Sequence, residues 1–214
     1  MLYQRERQLM VAQQLQRRGI SDARVLTAMT AVPREMFVPD PLRGNAYADR
    51  ALPLEHEQTI SQPYTVAFMC EALQLEPDEV VLEVGTGSGY GAAVLSKMAR
   101  HVHTIERIPE LAEQAQQRLA KLGYRNITVH QGDGSLGLPS EAPFDAICVT
   151  AAGGDLPQAY VEQLSDGGRI VIPLEDGHGQ QTMQRITRDG AEFRRESLGT
   201  FTFVPLIGAQ GKQR

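Results

Sequence analysis

The chain has little with which to bind a metal, cross a membrane or attract a polyanion. Two cysteines, Cys70 and Cys148, occur in 214 residues. Each lies in an apolar stretch and no C-x-x-C pair exists, which argues against thiolate catalysis and predicts buried thiols in a reducing compartment. Nowhere do about 18 apolar residues follow one another. The opening run Met1-Leu2-Tyr3-Gln4-Arg5-Glu6-Arg7 is polar, so neither a signal peptide nor a membrane span is predicted and the expected location is cytoplasmic. With charged residues at 22% and a net charge of -5, there is no basic excess to draw in nucleic acid. Internal repeats, low-complexity stretches and an evident acid/base dyad are also missing. The length suits one sheet-centred domain over residues 1–214 and is short for two.

What the chain does have is the run Leu82-Glu83-Val84-Gly85-Thr86-Gly87-Ser88-Gly89-Tyr90. Val80 to Val84 has the β-branched character of a strand buried on both faces, and Tyr90 onward has helical spacing. Glycines between a strand and a helix let the main chain approach a ligand, and the helix start offers unpaired N–H groups. A dinucleotide fingerprint G-x-G-x-x-G would need glycine at position 90, which is Tyr90. That weakens a nicotinamide reading. Glu106 stands about 20 residues after the loop, closing the run Val102-His103-Thr104-Ile105, where a carboxylate can accept both hydroxyls of a ribose. Loop and acid together predict a doubly wound site for an adenosine-containing cofactor. A glycine turn used only for packing, or another nucleotide enzyme, stays open on this pattern alone.

The predicted elements support that architecture. A helix over 3–18, with Leu9, Val11 and Leu15 as its apolar positions, and a second over 22–31 capped by Ser21 form a lead-in. A proline-punctuated stretch follows, with a helix from Tyr64 to about Leu75. Then come strand 80–84, helix 90–99, strand 102–105, helix 109–122, strands 127–130 and 144–150, helix 157–164 and strand 169–173. This alternation implies an α/β fold with a mostly parallel sheet covered by helices on both faces. Segments 182–187 and 201–205, with Asp189-Gly190 between them, predict a closing antiparallel pair.

Several blocks carry a closer likeness. Val32-Pro33-Arg34-Glu35-Met36-Phe37-Val38, Ala46-Tyr47, Leu52-Pro53-Leu54, Gln58-Thr59-Ile60-Ser61-Gln62-Pro63-Tyr64, the glycine loop, Glu106-Arg107-Ile108, Gly132-Asp133-Gly134, Ala142-Pro143-Phe144-Asp145 and Phe203-Val204-Pro205-Leu206 resemble the protein-L-isoaspartate (D-aspartate) O-methyltransferase family over about residues 25–208. The resemblance implies a Rossmann-like, doubly wound core of the class I S-adenosylmethionine-dependent methyltransferases at 77–208, with an N-terminal helical, substrate-side extension at 1–76. It implies methyl transfer from S-adenosyl-L-methionine to the α-carboxyl of L-isoaspartyl, and also D-aspartyl, residues in damaged proteins, initiating repair. A methyltransferase of another carboxylate or small molecule is the alternative. A nicotinamide oxidoreductase and a cofactor-binding protein without transfer activity are more distant ones.

By the same resemblance Ser61 is the catalytic residue, and Thr59, Ile60, Ser61 and Val204 bind the acceptor. Glu83, Gly85, Thr86, Gly87, Ser88, Glu106, Asp133 and Gly134 bind the cofactor, Gly85 and Gly87 along its methionine and ribose, Glu106 at the ribose and Asp133 near the adenine. Read as bare residues, Ser61 is equally a helix cap, Glu83 a polar strand end and Asp133 an Asx-turn residue. An isoaspartyl carboxylate is ionised at pH 7 and a sulfonium donor is already activated, so the reaction demands positioning rather than a base. No metal is expected, because His101 and His103 share a strand face without a third ligand. His56 between Glu55 and Glu57, and the pairs Arg17-Arg18 and Arg194-Arg195, read as solvated charge. Glu55 and Glu57 stand where the family usually has glycine, and two carboxylates near the acceptor block are expected to oppose an anionic substrate. Partners are expected to be isoaspartyl proteins and peptides, with no nucleic acid and no membrane, and the protein is expected to be a monomer.

Overall fold

A computed structural model describes residues 3–213. The lead-in starts as α1 (Gln4–Met10), widens into a π turn at Val11–Leu15 and tightens into a 3-10 turn at Gln16–Arg18. The wide turn inserts a residue, so Met10, Val11 and Leu15 face inward while Leu9, expected to be apolar contact, is 43% exposed. The next helix, α2 (Ala23–Ala31), is capped by Asp22 rather than by Ser21. The Asp22 carboxylate accepts from Arg24 N and Val25 N at 2.7 and 3.4 Å, which is the stronger use of an N-cap side chain. Ser21 and Asp22 instead give their own N–H groups to Glu71, tying α2 to α3 (Pro63–Leu73). Between these helices the proline-rich stretch forms 3-10 turns and a minimal antiparallel hairpin, β1 (Leu52–Pro53) with β2 (Thr59–Ile60). Two-residue strands have no periodicity for a sequence to show.

The α/β alternation then runs β3 (Val80–Val84), α4 (Tyr90–Leu95), β4 (His101–Glu106), α5 (Pro109–Lys121), β5 (Ile127–Gln131), β6 (Phe144–Val149), α6 (Gln158–Gln163), β7 (Leu164–Glu175), β8 (Gln181–Asp189) and β9 (Glu192–Thr200). The seven-stranded sheet has the order β5-β4-β3-β6-β7-β8-β9. Pairs from β5 to β7 are parallel, and β8 and β9 add antiparallel. The chain leaves β3 toward one edge and leaves β6 toward the other. A crevice therefore opens beyond the carboxyl ends of β3 and β6, where such sheets bind ligands.

Two expectations need correction. The helix from Tyr90 ends at Leu95 rather than residue 99. The closing pair is Gln181–Asp189 with Glu192–Thr200, not 182–187 with 201–205. The turn at Gly190, with φ of 59°, is so short that β9 begins at Glu192. As an edge strand β9 is mostly exposed and polar, so it lacks the apolar pattern that marks a buried strand, whereas the apolar run at 201–205 is used elsewhere, at the crevice.

The lead-in and the sheet share one core. Phe37, buried from solvent, meets Tyr90 edge-on at 5.6 Å between centroids and Tyr124 at 6.4 Å. One cluster of buried residues runs from Met10 through Phe37, Ile60 and Tyr90 to Val171. Phe37→Ala is therefore expected to cost about 3 to 5 kcal/mol in a single cooperative unfolding transition. Urea titration followed by circular dichroism and by tyrosine fluorescence would check this, and two separated transitions would count against a shared core.

Candidate active site

The glycine loop leaves β3 under tight constraint. Gly85 has φ of 97°, a conformation that L side chains rarely adopt, and a Cβ there would collide with the Thr150 hydroxyl. That hydroxyl donates to the carbonyls of Val84 and Gly85 at 3.0 and 2.9 Å, clamping the turn from the end of β6. Across the loop, Glu106 accepts from Gly87 N at 2.9 Å through one oxygen and from Ile108 N at 3.0 Å through the other. One carboxylate thus joins the loop to the start of α5. Each of its oxygens keeps a further lone pair for a ligand hydroxyl.

Glu83 lies beneath the loop and is only 1% exposed. Its carboxylate accepts from the Thr104 hydroxyl at 2.6 Å, and Thr104 in turn lies 2.7 Å from the Thr86 hydroxyl. Since Thr104 gives its one proton to Glu83, Thr86 donates to Thr104. The other Glu83 oxygen sits against Gly91, where a Cβ would strike it. Burial pushes the Glu83 carboxyl up to about 8, the nearby Glu106 charge pushes the same way, and the Thr104 hydrogen bond opposes them. This group is largely protonated at neutral pH, and a cation placed beside it would favour its ionised form.

The opposite wall comes from the segment between the lead-in and the first core strand. Thr59 and Ile60 form β2, and Ser61 follows just before α3. Ser61 does not cap α3, because Gln62 holds the N-cap position and makes no side-chain cap bond. The Ser61 carbonyl accepts from Arg34 Nη2 at 2.8 Å. The two walls enclose an open cleft of about 1070 Å³ lined by Thr59, Ile60, Ser61, Glu83, Gly85, Thr86, Gly87, Ser88, Glu106, Gly134 and Val204. Those expected residues are brought together. Asp133 is not among the lining residues. It accepts from Ser135 N and Oγ through one oxygen and from Ala209 N through the other; burial pushes its carboxyl up, but these bonds outweigh it and lower the carboxyl below its ordinary value, and they pin the C-terminal segment beside Gly134.

The sequence reading missed several parts of the cleft. Tyr64, Phe68, Phe201 and Phe203 form an aromatic row along it, with Phe68 and Phe201 4.9 Å apart and the Arg18 guanidinium 3.6 Å over Tyr64. Thr150, which lines the cleft, and Thr104, which backs it through Glu83 and Thr86, carry no sequence signal because each is a single residue outside the glycine loop. Glu57 lies at the cleft mouth, whereas Glu55 points to α5 and accepts from Gln114 at 3.1 Å. Only one of these two carboxylates therefore lines the cleft. His103 and His130 are bonded to one another at 3.1 Å, and among the described residues no group of three or more His, Cys, Asp or Glu side chains is arranged to hold a metal.

This cleft has known counterparts. The sequence profile of the protein-L-isoaspartate(D-aspartate) O-methyltransferases matches residues 4–211. The chain belongs to that family. A protein-L-isoaspartate O-methyltransferase of Rhodopseudomonas palustris is 51% identical over 206 residues, 96% of this chain and 94% of its own length. A solved protein-L-isoaspartate O-methyltransferase superposes with a TM-score of 0.85 at 28% identity, over 96% of this chain and 67% of its own. A Plasmodium falciparum protein assigned to the same methyltransferases, solved with S-adenosyl-L-homocysteine, gives 0.81 at 25% identity over 94% and 98% of the two chains. The family scaffold thus extends through the lead-in, and the class I methyltransferase core is the observed α/β sheet.

The buried Glu83 makes a pH prediction. Folding raises its carboxyl from 4.5 to about 8, so the stability this group contributes is full below pH 4.5 and is lost as pH rises through 8. Glu83→Gln cannot ionise and is expected to keep more of its thermal stability between pH 5 and pH 9 than the wild type. Melting curves of both proteins without ligand would check it, and parallel losses would refute it.

Proposed function

We infer that this chain transfers the methyl group of S-adenosyl-L-methionine to the α-carboxyl of L-isoaspartyl residues in damaged proteins. The ester then closes to a succinimide, which initiates repair. The observation that carries the reading is that the Thr59–Ser61 segment and the loop held by Glu106 and Glu83 face each other in one cleft. A methyltransferase of another carboxylate fits the donor half equally, but the Gln58 to Tyr64 block is the part that the general methyltransferases lack.

The residues present fit the cofactor. Glu106 offers free lone pairs where a ribose diol would sit, Gly85 and Gly87 leave the loop bare, and Glu83 can turn anionic beside an ammonium. S-adenosyl-L-methionine supplies an electrophilic methyl group on a sulfonium. Thr86, Ser88 and Gly134 complete its walls, and Asp133 acts by holding the 133–135 turn and the C-terminal segment against the adenine end. Ser61 donates its hydroxyl to the isoaspartyl carboxylate and fixes its line of approach. Thr59 orients the same group, while Ile60 and Val204 keep water from the reacting pair. The carboxylate is ionised at neutral pH, so no residue has to remove a proton, and catalysis rests on alignment and desolvation. D-aspartyl residues present the same carboxylate and are proposed as further acceptors. We further propose a single domain, with residues 1–76 on the acceptor side and 77–208 holding the cofactor, and a monomer in the cytoplasm with no nucleic-acid or membrane partner. Among the described residues no helix is long and apolar enough to cross a membrane.

The decisive measurement is transfer of labelled methyl groups to matched isoaspartyl and aspartyl peptides. Labelling of the isoaspartyl peptide alone is expected, and labelling of neither peptide while S-adenosyl-L-homocysteine still binds would move the assignment to another acceptor. Two variants separate the halves of the site. Glu106→Ala is expected to weaken S-adenosyl-L-homocysteine by roughly 2 to 3 kcal/mol, the range for charged hydrogen bonds, as read by calorimetry. Ser61→Ala is expected to lower kcat at least tenfold with cofactor affinity unchanged, and unaltered turnover would remove Ser61 from the reaction.

A further inference from the structure

Arg34 is fully buried, at 0% exposure, yet no carboxylate pairs with it. The adjacent Glu35 is engaged elsewhere, accepting from Arg7 Nη2 at 3.0 Å and from the Tyr47 hydroxyl. The Arg34 guanidinium donates from Nε to the Ala46 carbonyl at 2.7 Å and from Nη2 to the Ser61 carbonyl at 2.8 Å, and it lies 4.7 Å over the Tyr90 ring. Its Nη1 is buried with no hydrogen-bond partner. A guanidinium stays charged in proteins, so this is a buried cation compensated by two carbonyl dipoles and a ring face. Such a group is costly to desolvate, and an apolar side chain would fill the same space at less cost to the fold.

The placement of the charge explains why it is there. Ser61 and Tyr90, two of its three contacts, line the cleft. Ser61 is also the last residue before the N-cap of α3, an eleven-residue helix whose first N–H groups carry partial positive charge. We propose that Arg34 is a positioning residue for the methyl acceptor: it fixes the Ser61 peptide from behind, and its charge, which no carboxylate pairs, draws an anionic carboxylate to that end of the cleft. A carboxylate partner would have cancelled the field, which is why the diversion of Glu35 to Arg7 and Tyr47 matters. The inference rests on the isoaspartyl reading of the acceptor.

The test uses Arg34→Met, which removes charge and hydrogen bonds together, and Arg34→Lys, which keeps the charge but cannot reach both carbonyls as a planar fork does. Kinetics are measured with one isoaspartyl peptide, and the Kd of S-adenosyl-L-homocysteine is measured alongside. Arg34→Met is expected to raise the peptide KM about tenfold while the cofactor Kd moves less than twofold. Arg34→Lys is expected to recover most of that KM while kcat stays reduced, because Ser61 is no longer held in place. If the methionine variant does not fold, the lysine variant alone carries the test through its separation of kcat from cofactor Kd. An unchanged peptide KM in folded Arg34→Met, or a parallel loss of kcat and cofactor affinity in Arg34→Lys, would show a structural role and overturn the proposal. No turnover by the wild type would overturn the isoaspartyl reading and this one with it, whereas wild-type turnover with an indifferent Arg34 would overturn this one only.

Discussion

The carboxylate of Glu106 bonds two backbone N–H groups, those of Gly87 and Ile108, and the glycine-loop side of the cleft depends on that bridge. It works because of sheet register. Val84 pairs with Ile105 between β3 and β4, so Glu106 falls level with the start of the glycine loop and its side chain reaches across to Gly87. Cross-linking the loop on one side, with Thr150 clamping it on the other, removes the freedom that a glycine-rich segment would otherwise keep. The same charge acts on Glu83, whose carboxyl it helps to raise. Two acids thus share one cleft in different surroundings, Glu106 bonded to backbone N–H groups and Glu83 buried beneath the loop with its carboxyl pushed up to about 8.

Much of this was readable from residue order. The buried strand, the odd glycine spacing and an acid at the end of the next strand each follow from a local physical demand, and β3, β4 and Glu106 stand where those demands place them. What escaped was set by tertiary packing. The Asp22 cap replaced Ser21 because Glu71, 49 residues away in sequence, takes the Ser21 and Asp22 N–H groups. The wide turn after α1 shifted the buried face past Leu9 without a glycine or proline to mark it. The apolar run at 201–205 reads as a strand, but its residues are half-buried or exposed and line the cleft, because an apolar segment of this length serves a ligand wall as well as a sheet. The carboxylate of Asp133 is engaged by Ser135 and by the C-terminal segment, a contact across 76 residues that no spacing rule reveals.

The charge layout of the cleft also follows from the reaction. A carboxylate anion and a sulfonium cation become a neutral ester and a neutral thioether, so charge disappears on the way to product. Groups that bind the separated charges strongly lower the ground state more than the transition state and slow the step. A direct bidentate arginine on the acceptor carboxylate, or a fully ionised acid against the sulfonium, would do that. The proposed arrangement avoids both. The cationic Arg34 stands behind the Ser61 peptide, where it can attract and orient the acceptor without covering the oxygen that must attack. The acid beneath the loop is protonated at neutral pH in the free protein, and Glu106 spends much of its bonding capacity on backbone. In the proposed site, field at a distance and hydroxyl contact nearby give alignment while leaving the reacting pair free to lose its charge, which is the balance that a carboxyl methyl transfer needs.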